Sequence, residues 1–290
     1  MAQFAVHKTI YSNLVQAATV ASRSFLLSLN RLPEFGAEAR HEGTAKVRIV
    51  TNASLTTVTD GTMAVNAAAN THATVTYASG QYTASLLPHE LAQYGPQEQA
   101  GDFEAAVNAQ ILAIETAVLT AYMAGTPGGT AALPTGQANF INDGTDAEIR
   151  QNLKILDTGW AHVLSRTGGD PSQLFIVANY LSWAGILAGR EAGLLAYGDT
   201  GMPMWRGQTP IYISRATSTG WKYPGVTNMA GGTAAIIGHK DSGVAAFGQP
   251  YLHGGGPMTA SDGTTKYMWI CPYGTGLVQN TWYEITNTSS

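Results

Sequence analysis

The stretch that decides the fold runs from Pro96 to Gly125 and reads PQEQAGDFEAAVNAQILAIETAVLTAYMAG. Its apolar residues recur at intervals of four and three, which places them on one face of a helix. Gly125 and Pro127 end the pattern, because glycine takes the left-handed cap conformation and proline cannot continue a helix. A helix of this length is about 40 Å long. It is predicted to be either a buried core helix or a spine that supports a sheet. The apolar face consists of Phe103, Val107, Ile111, Ile114, Val118 and Tyr122.

The composition indicates a folded chain with much of its surface covered. Charged residues make up 12% of the 290 residues, and hydrophobic residues make up 44%. The surface of a solitary soluble protein carries about 25–35% charged residues, so we expect partners to cover part of this one. The 15 Lys and Arg residues are balanced by 19 Asp and Glu residues, and no basic run suggests a dedicated nucleic-acid-binding surface.

The cysteine count and the hydropathy exclude further classes of protein. The single cysteine, Cys271, rules out an internal disulfide and a multi-cysteine metal site. No run approaches about 18 uninterrupted apolar residues, so no membrane span or membrane partner is expected. We expect neither a bound metal nor a cofactor.

Before the predicted spine, the chain reads as a helix followed by a long hairpin. An amphipathic helix is predicted within Val6–Leu29, as an extended arm or as an ordinary first helix. From Thr44 to Pro88 the apolar period becomes two, with the turn signal Asp60-Gly61 between the strands. A hairpin with so few core-forming residues is marginal in isolation. We therefore expect it to lie on a neighbouring subunit.

After the spine, helices and strands alternate irregularly. A connecting region from Thr126 to Gly144 is predicted to contain a short strand near Phe140-Ile141. A helix then starts at Thr145 with a capping box completed by Glu148, and it ends at a glycine pair. The run LFIVA predicts a strand buried on both faces, and Asn179 is placed to cap a short helix that follows it.

The last third begins with a glycine-rich excursion and continues with strands. This order of elements indicates an α+β fold rather than repeated βαβ units. The excursion is predicted over Gly189–Gly207, and the strands over Pro210–Ser214, Ala234–Gly238, Gly243–Tyr251, Thr265–Cys271 and Gly276–Ile285.

Enzyme motifs are missing from the sequence. It has no Gly-Lys pair of a phosphate-binding loop and no Gly-x-Ser-x-Gly elbow. The sequence has two His-Glu pairs, and both lack the second histidine of a zinc-protease motif. A further run of three polar residues is typical of a turn between strands. These groups are His41-Glu42, His89-Glu90 and His239-Lys240-Asp241.

The remaining candidates are residues for contacts between subunits. Four of them lie in the glycine-rich excursion, which is either a binding loop or an oligomer contact. The other three lie in the hairpin. The full set is Lys46, Arg48, Asp60, Arg190, Glu191, Trp205 and Arg206.

The order of these elements resembles the major capsid proteins of tailed double-stranded DNA bacteriophages, which share the Hong-Kong-type capsid fold. The helix ending in AYMAG resembles the spine helix of that family, and the hairpin is similar to its extended loop. The capped helix at Thr145 followed by LFIVA resembles the beginning of the axial domain, and MWRGQTPIYIS is similar to the start of an axial strand, with stretched spacing around Gly207. Each motif is weak alone, and the resemblance depends on their order.

The resemblance implies a domain plan. Residues 1–42 correspond to the N-terminal arm and residues 43–94 to the extended loop. Residues 95–142 and 244–275 correspond to the peripheral domain, and residues 143–243 and 276–290 to the axial domain.

The resemblance also implies a function without enzymatic activity. The subunit is expected to assemble into pentamers and hexamers of an icosahedral head that encloses double-stranded DNA through non-specific contacts only. Assembly is expected in the bacterial host cytoplasm, with a portal and, in some relatives, a cement protein. Because no long acidic helical segment precedes the arm, we expect a separate scaffolding protein.

Two other functions stay open at this stage. The shell protein of an encapsulin-type bacterial nanocompartment resembles the same fold but encloses a cargo enzyme. An α+β hydrolase is the third hypothesis, which a deep acidic pocket would favour.

The hairpin sequence makes a first prediction about the lattice. Its only lysine, Lys46, lies at the base, and residues 57–70 contain none, so we expect neighbouring subunits to be held without the covalent cross-links that some relatives form. Boiled particles should migrate as single subunits in a denaturing gel. A ladder of multimers would contradict the prediction.

Overall fold

The computed structural model describes residues 28–29, 44–49, 71–86, 115–141, 144–188, 195–197, 203–214, 229, 232–247, 251–252, 258–259 and 265–287. Strands and helices alternate along these ranges and confirm the α+β class. In chain order the elements are β1 (Thr44–Ile49), β2 (Thr71–Leu86), helix α1 (residues 115–124), β3 (Gly129–Ala132), α2 (Asp146–Arg166), a 3₁₀ turn (Pro171–Gln173), β4 (Leu174–Asn179), α3 (Tyr180–Ala188), β5 (Leu195–Tyr197), β6 (Pro203–Trp205), β7 (Thr209–Ser214), β8 (Thr233–His239), β9 (Gly243–Phe247), β10 (Tyr251–Leu252), β11 (Met258–Thr259), β12 (Thr265–Leu277) and β13 (Trp282–Thr286).

The first sheet is built around two long strands, β2 and β12. β1 pairs antiparallel with the first part of β2, from the Thr44–Thr76 pair to the Ile49–Thr71 pair. The rest of β2 pairs with β12 of the same chain, and β9, β10 and β11 also pair with β12. The predicted hairpin is confirmed. In addition, β12 of the same chain supplies a ladder partner that the hairpin alone lacks. Contact of the hairpin with a neighbouring subunit stays a prediction.

In the described ranges the second sheet has seven strands, in the order β3-β13-β8-β4-β7-β6-β5. Its central strand β4 runs parallel to β7 and antiparallel to β8. All six residues of β4 are buried, which confirms the strand predicted from LFIVA. A continuous apolar run is what a strand covered on both faces requires.

Alternate residues of β4 point to two different cores. Ile176 and Ala178 belong to the core formed with α2 and α3. Phe175 and Val177 belong to the core formed with the end of α1, where Val118 is also buried. The sheet is therefore a central layer with helices on both sides, which follows from the period of two in a strand.

Helix α2 begins and ends at the predicted signals. The Thr145 hydroxyl accepts from the Glu148 amide (3.4 Å), and the Glu148 carboxylate accepts from the Thr145 amide (2.8 Å). At the other end, Gly168 has φ +85° and the Gly169 amide donates to the Leu164 carbonyl (3.1 Å). These bonds satisfy backbone groups that a helix leaves unpaired at its ends.

Four sequence predictions about strands are wrong. The strand predicted over Gly276–Ile285 is interrupted, because β12 ends at Leu277 and β13 begins at Trp282. Phe140 and Ile141 form no strand, and the Phe140 amide donates to the Ser182 hydroxyl (3.3 Å) instead. The short strand of this connecting region is β3. The glycine-rich excursion contains strands β5 and β6. The break expected between Cys271 and Gly276 does not exist, since β12 continues through it.

Only the ends of the two predicted N-terminal features are described. Of the predicted arm helix, Leu29 is buried beside α1, and the Ser28 hydroxyl bonds the Tyr212 hydroxyl (2.6 Å). Of the predicted spine, residues 115–124 are helical, and the Gly125 amide donates to the Ala121 carbonyl (2.9 Å). The predicted end of the spine is confirmed, and its earlier part lies outside the described residues.

Within the described residues, three chain segments that connect the two sheets lie together at a place that we call the joint. The joint comprises the end of α1, residues 239–243 between β8 and β9, and residues 277–282 between β12 and β13. The Ser242 carbonyl accepts from the Val278 amide (2.9 Å), and the Gly128 amide donates to the Trp282 carbonyl (2.9 Å). The three crossings are thus hydrogen-bonded or packed together.

Tyr122 fills the centre of the joint. Its ring is fully buried and meets Trp282 edge-on at 5.2 Å and Phe175 at 6.3 Å between ring centroids. Its hydroxyl lies 2.6 Å from the Ser242 hydroxyl. Because Ser242 donates its only hydroxyl hydrogen to the His239 carbonyl, Tyr122 is the donor between the two hydroxyls. Burial, only partly offset by this bond, raises the pKa of Tyr122 well above its ordinary value.

The joint makes a prediction about non-additive stability. Tyr122→Phe should lower the free energy of unfolding by about 1 kcal/mol through loss of the hydrogen bond. A β-carbon on Gly243 would lie 2.6 Å from the Tyr122 oxygen, so Gly243→Ala should cost about 1–3 kcal/mol. The double variant should lose less than the sum, because the phenylalanine removes the clashing oxygen.

Denaturant unfolding of the three variants measures this coupling. Tyr180→Phe is the matched control, since the exposed Tyr180 should change stability by less than about 0.5 kcal/mol. Strictly additive losses would show that Gly243 does not sense the Tyr122 hydroxyl.

Candidate functional site

A strained two-residue turn joins β6 to β7. The Gln208 amide donates to the Trp205 carbonyl (3.2 Å), and the two residues between them have positive φ, +50° for Arg206 and +74° for Gly207. This is the pattern of a type I′ turn, whose twist suits a hairpin. Glycine adopts it freely, whereas the left-handed conformation costs Arg206 about 1–2 kcal/mol.

The Arg206 side chain is held by α2 of its own chain. Its Nε donates to Asp157 Oδ1 (2.8 Å), and its Nη2 donates to Asp157 Oδ2 (2.7 Å). The guanidinium carbon lies 5.9 Å from the centre of the Trp160 ring. This two-pronged geometry is specific to arginine, and it raises the pKa of Arg206.

Trp160 and Thr209 connect the turn to neighbouring segments through hydrogen bonds. The Trp160 indole N–H donates to the Thr209 hydroxyl (2.9 Å), which in turn donates to the Pro171 carbonyl (2.9 Å). Thr209 is fully buried. The bonds tie α2, β7 and the turn before β4 into one unit, so the Arg206 turn is presented in a defined position.

Two adjacent candidate contact residues, Trp205 and Arg206, differ in their exposure. The sequence predicts Trp205 at a contact, but its side chain is fully buried in its own domain, next to α2. That part of the prediction is wrong, because β6 turns the indole inward as a core residue. Arg206 is on the surface, 43% exposed, although it is paired with Asp157.

The other candidates are not brought together by the described part of the chain. Lys46 and Arg48 lie in β1, opposite Thr74 and His72 of β2. Three more candidates, and both His-Glu pairs, lie outside the described residues. These are Asp60, Arg190 and Glu191, together with His41-Glu42 and His89-Glu90.

Sequence reasoning missed an apolar surface at the start of α3. Tyr180 (37% exposed) and Leu181 (49% exposed) are the exposed large hydrophobic residues of the described ranges, and they are neighbours. The helix YLSWAGILA has no charged residue, a signal that the sequence itself contains. At Gly185 the helix packs closely against its own chain, because a β-carbon there would lie 2.4 Å from the Phe140 backbone.

The polar group after β8 is a turn, as predicted. The Ser242 amide donates to the His239 carbonyl (2.8 Å), and the Asp241 amide donates to the His239 Nδ1 (3.2 Å). Within the ranges given above, no three His, Cys, Asp or Glu side chains come together as a metal site. None of the helices in those ranges is long and apolar enough to cross a membrane.

Comparison with known proteins gives a match in structure only. No family model matches the sequence, and the curated proteins contain no match. Among solved structures, the capsid of the cyanophage P-SCSP1u is 13% identical with a TM-score of 0.56, covering 90% of this chain and 86% of that one. The mature capsid of bacteriophage PhiM1 is 11% identical with a TM-score of 0.55, covering 92% and 88%.

The chain has the Hong-Kong-type capsid fold. A virus-like particle from Pyrococcus furiosus is also similar, at 12% identity and a TM-score of 0.54, covering 94% of this chain and 96% of that one. The fold predicted from the order of elements is therefore confirmed over nearly the whole chain. At these identities the similarity extends to the capsid fold and not to individual residues.

The Arg206 turn makes a prediction about the energy of an exposed ion pair. Asp157→Asn should lower the free energy of unfolding by about 0–1 kcal/mol, because both partners are partly exposed. The loss should shrink in high salt. Denaturant unfolding in low and high NaCl measures both effects.

A matched background separates the pair from the backbone strain. Arg206→Gly removes the pair and also the cost of positive φ, so Asp157→Asn in that background should have no further effect. A loss of several kcal/mol from Asp157→Asn alone would mean that the pair holds the domain together.

Proposed function

We propose that this chain is the major capsid protein of a tailed bacteriophage, which self-assembles into pentamers and hexamers of an icosahedral head around double-stranded DNA. The observation that carries the proposal is the match to two phage capsids over about nine-tenths of the chain, at TM-scores of 0.56 and 0.55. Length agrees as well as fold, since the match spans 86% and 88% of those capsid chains.

The composition supports a subunit surrounded by copies of itself. Only 12% of the residues are charged, and the exposed hydrophobic pair Tyr180 and Leu181 lies on a helix without charge. Adjacent exposed apolar side chains on a rigid element are typical of the centre of a protein contact. In this proposal the start of α3 faces another subunit.

The domain plan is kept with one addition. Residues 1–42 form the arm, 43–94 the extended loop, 95–142 and 244–275 the peripheral domain, and 143–243 and 276–290 the axial domain. The pairing of β3 with β13 adds residues 129–132 to the axial sheet. The joint then lies where the peripheral and axial parts meet.

The proposed partners follow from the same function. Other copies of the chain are the main partner, and a separate scaffolding protein, a portal and a cement protein are further candidates. The contact with packaged DNA would be non-specific, and assembly would take place in the bacterial cytoplasm. The subunit has no catalytic role in this proposal.

A nanocompartment shell is the second candidate function. It is favoured by the similarity to the Pyrococcus furiosus virus-like particle, which extends over 94% of this chain and 96% of that one. A hydrolase is less well supported, because the sequence contains no Gly-x-Ser-x-Gly elbow and no complete zinc-protease motif.

Electron microscopy of the purified protein distinguishes these functions. Shells that accept double-stranded DNA would agree with the proposal, whereas small closed shells around a protein cargo would favour the nanocompartment. A protein that stays monomeric under all assembly conditions would contradict both.

The start of α3 gives a sharper test of assembly. Leu181→Asp should leave the subunit folded, since an acidic residue in the first turn of a helix is favourable. It should strongly reduce shell formation, because an unpaired charge buried in a contact costs several kcal/mol. Sedimentation of assembly products, with circular dichroism as the check on folding, measures the effect.

The control for this test is Ala161→Asp, which adds the same charge to an exposed position of α2. It should assemble like the unmodified chain. Normal assembly of Leu181→Asp would remove α3 from the contact while leaving the shell function untouched.

A further inference from the structure

His239 is the last residue of β8 and the first residue of the turn in the joint. Its Nδ1 accepts a hydrogen bond from the Asp241 amide (3.2 Å). A ring nitrogen that accepts cannot carry a proton, so the imidazole is neutral with its hydrogen on Nε2. The residue as a whole is 8% exposed.

The turn closed by this bond supplies the contacts that hold the two sheets together. Ser242, three residues after His239, donates its amide to the His239 carbonyl (2.8 Å) and accepts from the Val278 amide (2.9 Å). Its hydroxyl accepts from Tyr122 (2.6 Å). The His239 amide itself donates to the Thr281 carbonyl (3.1 Å). Every crossing of the joint therefore depends on the shape of this turn.

The charged groups around His239 come from two turns. Asp241 Oδ2 lies 3.5 Å from Nδ1, and Lys240 is the adjacent residue. Asp170 faces it from the turn before β4, which is tied to this one by the bond from the Lys240 amide to the Gln173 carbonyl (2.9 Å). From α1, the titratable group in the joint is Tyr122, which is neutral.

Burial outweighs these charges. It lowers the pKa of His239, whereas the Asp241 carboxylate raises it, the Lys240 ammonium lowers it and the Asp170 carboxylate raises it, in decreasing order of effect. The neutral ring is thus favoured both by its surroundings and by the hydrogen bond that it accepts.

We propose that His239 makes the joint between the two sheets acid-sensitive. A proton on Nδ1 replaces the acceptor of the Asp241 amide by a second donor, so the two N–H groups face each other. The Asp241 carboxylate, 3.5 Å from Nδ1, offsets this loss only in part. The turn then loosens, and Ser242 moves away from its partners on α1 and on residues 278–279, which lead into β13. This property belongs to the single chain and does not depend on the proposed shell function.

The direction of the pH effect follows from linkage. The folded-state pKa of His239 lies below the ordinary histidine value of 6.5, so the unfolded or opened state binds the proton more readily. The stability of the turn is therefore complete above about pH 6.5 and is lost as the pH falls through the window down to the folded pKa. Across that window, uptake of one proton on opening raises the opening constant by at most tenfold for each pH unit by which the pH falls.

Amide hydrogen exchange of the full chain tests the proposal. After correction for the intrinsic exchange rate, protection of the Asp241 and Val278 amides should fall as the pH is lowered below about 6.5, by at most tenfold per pH unit. The Leu133 amide is the internal control, because it donates to the Thr286 carbonyl (2.9 Å) at the far edge of the seven-stranded sheet. Its protection should stay constant.

His239→Asn is the matched variant. The asparagine side-chain oxygen can accept from the Asp241 amide in place of Nδ1 but cannot be protonated in this range. Its Asp241 and Val278 amides should keep their protection at low pH. The same pH dependence in this variant, or constant protection in the unmodified chain, would overturn the proposal.

A second measurement keeps the proposal testable if the variant fails to fold. Ring nitrogen shifts of His239 in the unmodified chain, measured by NMR, should indicate a neutral Nε2–H ring at pH 7. They should also titrate together with the loss of protection. A ring that is doubly protonated at pH 7 would contradict the proposal.

Discussion

The buried hydrogen bond between Tyr122 and Ser242 (2.6 Å) fixes how the two sheets are arranged. Tyr122 lies at the end of the predicted spine, whereas Ser242 lies where the chain leaves the seven-stranded sheet for the six-stranded one. The Ser242 carbonyl also holds the returning chain through the Val278 amide (2.9 Å). A buried polar group without a hydrogen-bond partner costs free energy. The three chain segments are therefore held in the one relative position in which these groups stay paired.

The described part of the chain presents two kinds of surface. The Arg206 turn is polar and is held by Asp157 and Trp160 of the same chain. The start of α3, with Tyr180 and Leu181, is apolar and exposed among the described residues. The first has its charge neutralised within the subunit, whereas the second gains most from being covered. For the assembly that we propose, the apolar surface is therefore the stronger candidate.

Local signals in the sequence were sufficient for the described helices after residue 115 and for the central strand. The capping box at Thr145, the glycine stop at Gly125 and the run LFIVA each act within a few residues, and all three are found as predicted. One strand prediction was wrong because the pairing partner is distant in sequence. Residues 265–277 form one strand because β2, about 190 residues earlier in the chain, provides a continuous partner.

The α+β class, the order of elements and, through that order, the capsid fold could all be inferred from the sequence. Which candidate residues are available at the surface became clear only from the packing of distant segments. Trp205 and Arg206 are adjacent in sequence, yet the first is in the core and the second is exposed. Trp205 is the last residue of β6 and is packed in the core, whereas Arg206 is the first residue of the turn that reverses the chain. Hydrophobicity and charge determine whether a residue favours buried or exposed surroundings. Its surroundings, which come from segments far away in the chain, decide where it lies.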